Sequence, residues 1–375
     1  MAILTNSINL TRDLLSFNTV NPPGEEQECA RYLGQLLESA GFDVRYYEFA
    51  PQRTTIVARL GGISNRPPLC LTGHIDTVPL GAAAWNYDPF SGEIEGDKVY
   101  GRGSTDMKSG VAAMIAAATQ TARLHTLKTG LVVILTAGEE TCCQGAYHLA
   151  SLENILGEAG AIIVGEPTAN YPWIGHKGAV RFEVRTKGIT AHASMPDQGV
   201  NAVYKAARVV LQLQEFDFHI NPHSILGKPT LNVGTISGGL NINSVPDECV
   251  IGVDLRTIPG QDHEEIHQQL QTYLGDDVEI NLLNEVQSIA TSEDDEWIQS
   301  VFDLVAPYLK TKPVAKGATF FTDASVFTPT FGNPPTIILG PGEPEMAHKT
   351  DEFCHISKIE ESVEIYVKTV ESWCT

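Results

Sequence analysis

Short apolar runs that stop at an acidic or imidazole side chain constrain this chain more than any other feature. LCLTGHIDTVP carries His74 and Asp76, GRGSTDMKSG carries Asp106, LVVILTAGEE carries Glu139 and Glu140, IIVGEP carries Glu166, and GPGEPEMAHKTDEF carries His348. The runs at 69–72, 131–136 and 161–164 are too short for helices and are flanked by turn residues, which predicts buried parallel strands. In an open α/β sheet, ligands collect outside the carboxyl ends of strands, so residues that end separate strands can converge on one point. Carboxylates crowded there without a cation would repel one another and take up protons. One or two divalent ions would keep them ionised. Nitrogen and oxygen donors without thiolate suit catalytic zinc or a related first-row ion.

The rest of the pattern predicts two kinds of domain. Residues 25–40 place Ala30, Leu33, Leu36, Leu37 and Ala40 at helical spacing, closed by Gly41. VAAMIAAATQTARL is an alanine-rich helix between the first two apolar runs. Such alternation predicts a doubly wound α/β domain with both sheet faces covered. After Tyr171 the pattern changes. VRFEVRT (180–186) alternates, a helix follows at about 200–215, strands lie near 231–236 and 249–256, and an amphipathic helix near 263–274. These read as an α+β sandwich inserted into the first domain, which resumes with a helix at 294–309 and the strand TIILG before His348. The expected boundaries are 1–173 and 288–375 for the first domain and 174–287 for the insert.

At 375 residues the chain can bury two cores. A net charge of −21 argues against a nucleic-acid or anionic-membrane partner, since both need a basic surface. The start, MAILTNSINLTRDLLSFNTV, lacks a basic segment leading into a long apolar run, so neither signal peptide nor membrane anchor is expected and a cytoplasmic location is. Seven scattered cysteines without zinc-finger spacing read as reduced, mostly buried thiols.

Each acidic or imidazole residue has a competing structural reading. His74 and Asp76 are one residue apart at a strand end, so alternation points them to one side, with Asp76 on the second ring nitrogen of a ligating His74. The same segment reads equally as a surface turn. Asp106 precedes the alanine-rich helix and reads alone as an N-cap. Glu139 and Glu140 are adjacent, so extended backbone would send them in opposite directions to two different tasks. A solvated acidic pair is the alternative.

Together these segments resemble the dinuclear-zinc aminoacylase and carboxypeptidase family, the M20 metallopeptidases. That family includes acetylornithine deacetylase, succinyl-diaminopimelate desuccinylase and the glutamate carboxypeptidases. Five separated motifs occur in its order, from the helix near Glu25 to the last helix after Ile356. The resemblance implies a doubly wound zinc-hydrolase catalytic domain, an inserted lid and dimerisation domain, a homodimer, and two Zn2+ per chain with Co2+ or Mn2+ as substitutes. It implies that His74, Glu166 and Asp106 hold one ion and His348, Glu140 and Asp106 the other. Glu139 becomes the general base, and the peptide after Asp106 is expected to be cis.

On the substrate side, KGITAHASMPDQGVNAV resembles the segment whose histidine reaches the neighbouring subunit's active site, so His192 is expected at the developing oxyanion. GGLNINSVPDECVIGVDLRTIPG resembles a second substrate segment. There Asn241 is a donor to a carbonyl or carboxylate, and Arg256 offers a planar fork for an α-carboxylate, with a structural salt bridge as its competing role. GATFFTDASVF resembles a cleft-lining segment and brings in Thr322 and Asp323 as supporting residues. TCCQGA departs from the family pattern and places Cys142 and Cys143 behind a ligand, as buried filler or as a thiol competing for zinc. The implied activity is hydrolysis of an N-acyl amino acid, most like acetylornithine deacetylase, because the desuccinylase pattern of glycine, glycine, threonine, serine, aspartate, glycine is absent. A desuccinylase, a carboxypeptidase or dipeptidase, and a catalytically silent binding protein on this fold are the rivals.

Overall fold

A computed structural model describes residues 5–124 and 126–375. It divides into two compact units. One takes the chain up to Gly175 with Ala290–Lys316 and Thr322–Thr375, and the other takes His176–Ile289 with Gly317–Phe321.

The first unit is built on a six-stranded sheet in the order Asp43–Ala50, Arg53–Leu60, Leu131–Thr136, Leu69–His74, Ala161–Val164, Thr336–Ile338. The last four are parallel. Every residue of Leu69–His74, Leu131–Thr136 and Ala161–Val164 is buried, as continuous apolar strands covered on both faces must be. The first two strands are antiparallel, so the sheet is mixed rather than purely parallel. Asp43–Ala50 escaped the sequence reading because it is an edge strand with several exposed side chains and neither an apolar run nor clean alternation.

The alanine-rich helix Ser109–Leu124 packs against Ile356–Cys374 and Ser7–Ser16. Its residues from Ser109 to Thr119 are all buried, and small side chains let its neighbours approach closely. The tightest approach is at Gly110, where a Cβ would lie 2.1 Å from the Gly165 carbonyl oxygen. That contact seats the helix against the turn that carries Glu166.

The second unit is a four-stranded antiparallel sheet in the order Thr230–Gly238, Glu248–Thr257, Gly178–Lys187, Val278–Val286. Alternation sends Val180, Phe182 and Val184, with Cys249, Ile251, Val253 and Leu255, into one core with the helices Ala202–Gln214 and His263–Leu274. Asn201 and Asp262 cap those helices by accepting amides of their first turns. Among the described residues no helix is long and apolar enough to cross a membrane.

Candidate metal centre

The strand Leu69–His74 delivers His74 to the carboxyl edge of the first unit's sheet. Its Nε2 lies 3.1 Å from Asp106 Oδ1 and 3.7 Å from Glu166 Oε1. His348 Nε2 lies 3.4 Å from Asp106 Oδ2 and 3.3 Å from Glu140 Oε1. Asp106 therefore presents one oxygen to each imidazole, as a carboxylate shared between two positions would. Donor atoms of His74, Asp106 and Glu140 fall within 4.8 Å of one another, and so do those of His74, Glu139 and Glu166. His74, Glu139 and Glu166 are buried, Asp106 and Glu140 are partly buried, and the His348 side chain is 53% exposed.

The electrostatics fit a cation. Burial, then Glu166, pushes Glu139 well above the usual carboxylate range, and burial, then Asp106, does the same to Glu166. Burial and Asp106 also raise Glu140. Burial opposes the charge of Asp106, but its hydrogen bonds to His348 and His74 hold it well below the usual range. Hydrogen bonds to Asp106 and Glu140 push His348 up to about 10. Carboxylates that resist ionising together, met by two imidazoles, form a donor set that one or two divalent ions would satisfy.

The contacts of Asp76 reach further than the sequence expectation. The strand ends at His74, so alternation does not continue, and His74 Nδ1 meets the Asp76 backbone carbonyl at 3.0 Å while the nearer carboxylate oxygen is 3.6 Å away. The Asp76 carboxylate, beside that ring nitrogen, also serves the other acidic segment. Oδ1 accepts the Glu139 amide at 3.1 Å, and Oδ2 accepts the Glu140 amide at 3.2 Å and Asn21 Nδ2 at 3.0 Å. Asn21 Nδ2 also reaches Thr141 Oγ1 at 3.0 Å, so it brackets the same turn.

Glu139 and Glu140 are not on extended backbone. Their strand ends at Thr136, and Gly138, Cys142 and Cys143 all have positive φ. The turn, not strand alternation, separates the two side chains. Asp106 is not a helix cap either: the helix starts at Ser109, Asp106 has φ −125° and ψ 91°, and the Asp106–Met107 peptide is cis.

Behind the cluster, Thr322 Oγ1 accepts the Ala324 amide. Asp323 accepts the Thr136 hydroxyl, its other oxygen is buried without a hydrogen-bond partner, and burial lifts its pKa to about 6. Cys143 is fully buried with Sγ 3.9 Å from Glu139 Oε1, and burial raises its pKa well above the usual thiol value, so it packs as a thiol. Cys142 is partly exposed.

His192, Asn241 and Arg256 belong to the second unit. His192 is exposed, in an isolated β-bridge with Ser244, and a short 3-10 turn at Pro196–Gln198 lies between it and the helix that begins at Ala202. Its Nδ1 accepts the Ser194 amide at 3.1 Å. Asn241 is exposed and accepts the Asn243 amide. Arg256 Nε donates to Asp254 Oδ1 at 2.7 Å, and its guanidinium lies 5.9 Å from the Phe321 ring centre. The salt bridge expected as its competing role is present. Asn21, Arg102 and Glu352 were not read as site residues from sequence. The signal was there in part, since each sits within two residues of Pro-Pro, Gly-Arg-Gly or the Asp-Glu that follows His348.

With the geometry defined, comparison with known proteins places the chain. The family described as Peptidase family M20/M25/M40 matches residues 70–372. The chain belongs to this family. The M20 enzyme is 33% identical to an acetylornithine deacetylase of Aliivibrio salmonicida, over 91% of this chain and 90% of that one. It is 30% identical to a probable succinyl-diaminopimelate desuccinylase of Staphylococcus epidermidis, over 96% of both. In structure it resembles an M20 family metallo-carboxypeptidase from Sulfolobus solfataricus, with a TM-score of 0.84, 17% identity and 98% coverage of each chain. It is a hydrolase of a metal-dependent family, with the mixed α/β fold of its structural neighbours.

Proposed function

We propose that this M20 hydrolase cleaves the amide bond between an acyl group and an amino acid, with an acetylornithine-deacetylase-like preference. The observation that carries the reading is the position of Glu139. It is buried, its donor oxygen lies within 4.8 Å of donor atoms of His74 and Glu166, and its amide is fixed by Asp76. Two Zn2+, with Co2+ or Mn2+ as substitutes, would be held by His74, Glu166 and Asp106 and by His348, Glu140 and Asp106. When bound, the ions would polarise the scissile carbonyl and acidify the attacking water. Glu139 takes the water's proton and returns it to the departing amine, a role suited to a carboxylate whose affinity for protons is raised. Asp323 and Thr322 back this acidic turn.

The second unit serves as lid and dimerisation surface, and His192 of each subunit acts in the partner's site. Support comes from its tautomer. Because Nδ1 accepts the Ser194 amide, the hydrogen of the neutral ring sits on Nε2, which is then a donor for an oxyanion. Arg256 and Asn241 receive the carboxylate and carbonyl of the substrate. Thiols at Cys29, Cys70, Cys143, Cys249, Cys354 and Cys374, all buried, fit a cytoplasmic location.

Side-by-side turnover of N-acetylornithine, N-succinyl-diaminopimelate and a small dipeptide panel tests the substrate assignment. A kcat/KM highest for the succinyl substrate would transfer it to the desuccinylase reading. Glu139→Gln should lower kcat by about 10²–10⁴-fold with metal content unchanged. Loss of metal in that variant would make Glu139 a ligand instead.

A further inference from the structure

A dense set of buried polar contacts outside the ligands gathers on one carboxylate, that of Glu352, which is fully buried. Oε1 accepts the Thr105 amide at 2.8 Å and the Asp106 amide at 3.0 Å. Oε2 accepts the Gly103 amide at 3.0 Å and Arg102 Nη1 at 2.6 Å. The Glu352 carbonyl also takes the Gly101 amide at 2.9 Å. Arg102 is equally enclosed, at 2% exposure. It donates through Nη1 to the Lys349 carbonyl at 3.2 Å, and through Nη2 to the Pro79 carbonyl at 3.1 Å and the His348 carbonyl at 3.5 Å. One ion pair thus joins the backbone that carries Asp106 to the backbone that carries His348.

His348 needs that anchor. Its side chain is half exposed and its φ is +64°, so side-chain packing contributes little to its placement. Beyond its contacts with Asp106 and Glu140, the ring depends on the position of the loop beneath it. We propose that Glu352 and Arg102 are positioning residues that hold Asp106 and His348 in register, and so set the affinity of the metal position those two ligands share with Glu140. The inference rests on the two-ion reading given above.

The chemistry favours a carboxylate at this point. Burial drives the Glu352 pKa up to about 7 against the pull of Arg102. Each oxygen nevertheless already faces two donors, so a proton on either would meet an N–H, and the geometry fits the ionised, acceptor-only form. A carboxamide would turn its NH2 toward two of those donors and release one side of the clamp. Removing partners that orient metal ligands typically weakens metal binding by about 10–100-fold.

The test is a titration of metal-stripped protein with Co2+, followed by its visible absorption and by chelator competition, on wild type, Glu352→Gln and Arg102→Lys. Arg102→Lys keeps a charge for Glu352 while losing the fork that spans Pro79 and Lys349, so it reports even if Glu352→Gln does not fold. Urea unfolding checks that each variant is native. Wild type should take up two equivalents. A folded variant should keep one tight equivalent, bind the other about 10–100-fold more weakly, and recover kcat as free metal rises, with KM unchanged at saturation. Wild-type affinity for both ions in a folded variant would overturn the inference alone, and so would equal weakening of both. Failure of wild type to bind two equivalents would overturn the two-ion reading and the inference with it.

Discussion

Asp76→Asn should weaken both the fold and the reaction, because the Asp76 carboxylate is the common acceptor for the turn that carries Glu139 and Glu140. It accepts three N–H groups, one on Oδ1 and two on Oδ2. Asparagine keeps the shape but only one oxygen. Its better orientation keeps that oxygen on the Glu140 amide and Asn21, and turns its NH2 against the Glu139 amide. A hydrogen bond to a charged acceptor contributes about 1.5–3 kcal/mol and a neutral one about 1 kcal/mol, so one bond is lost and two are weakened, together about 4 kcal/mol. Part of this returns, since Asp76 is one of the charges that, after burial, push Glu26 up to about 7, and removing it relieves that repulsion. The net expectation is about 3 kcal/mol, seen as a lower urea midpoint at unchanged m-value. Turnover should fall about 10²-fold, the usual scale for a misplacement of 1 Å at a catalytic group. A variant that unfolds at the wild-type midpoint and turns over at the wild-type rate would refute the assignment of Asp76 to this turn.

Four further outcomes follow from the same geometry. Metal must displace the proton that Asp106 and Glu140 hold on His348, whose pKa is about 10, so metal affinity should rise with pH up to that value and binding should release protons; calorimetry in buffers of different ionisation enthalpy would show it, and a pH-independent affinity between about pH 6 and 9 would contradict it. In metal-stripped protein the sign reverses: the charged ring stabilises the fold fully below its ordinary value of about 6.5, and that contribution is lost as pH rises through about 10, so the thermal midpoint should fall across this window. Gly110→Ala gains about 1 kcal/mol of helix propensity but forces a Cβ to 2.1 Å from a backbone oxygen, so overpacking of about 1–3 kcal/mol should win and lower the unfolding midpoint; an unchanged or higher midpoint would show that the helix can shift. Co-expressing inactive His192→Ala and Glu139→Gln chains should restore activity through mixed dimers with one intact site, while a fully active monomer by light scattering would exclude action in trans.

The ligand-bearing segments were legible because burial leaves a strong local mark. A strand covered on both faces must be apolar throughout, so a histidine or carboxylate at its end stands out, as His74 and Glu166 do. The second unit's alternation was equally plain, since only one face of its sheet is buried, although the strand Val278–Val286 went unread because its pattern breaks in NLLNEV. What the sequence could not state is which polar atom meets which. Asp76 was expected beside the His74 ring, but nothing in the sequence signalled that the same carboxylate, 3.6 Å from that ring, also accepts from Glu139, Glu140 and Asn21. Glu352 accepts the amide of Asp106 across a sequence separation of 246, and no local pattern encodes such a partner. Hydrogen bonds depend on direction and distance to a fraction of an ångström, whereas apolar burial depends only on area. Periodicity therefore determined the strands, helices and ligand types of this protein, and only the tertiary structure decided how their polar atoms are paired.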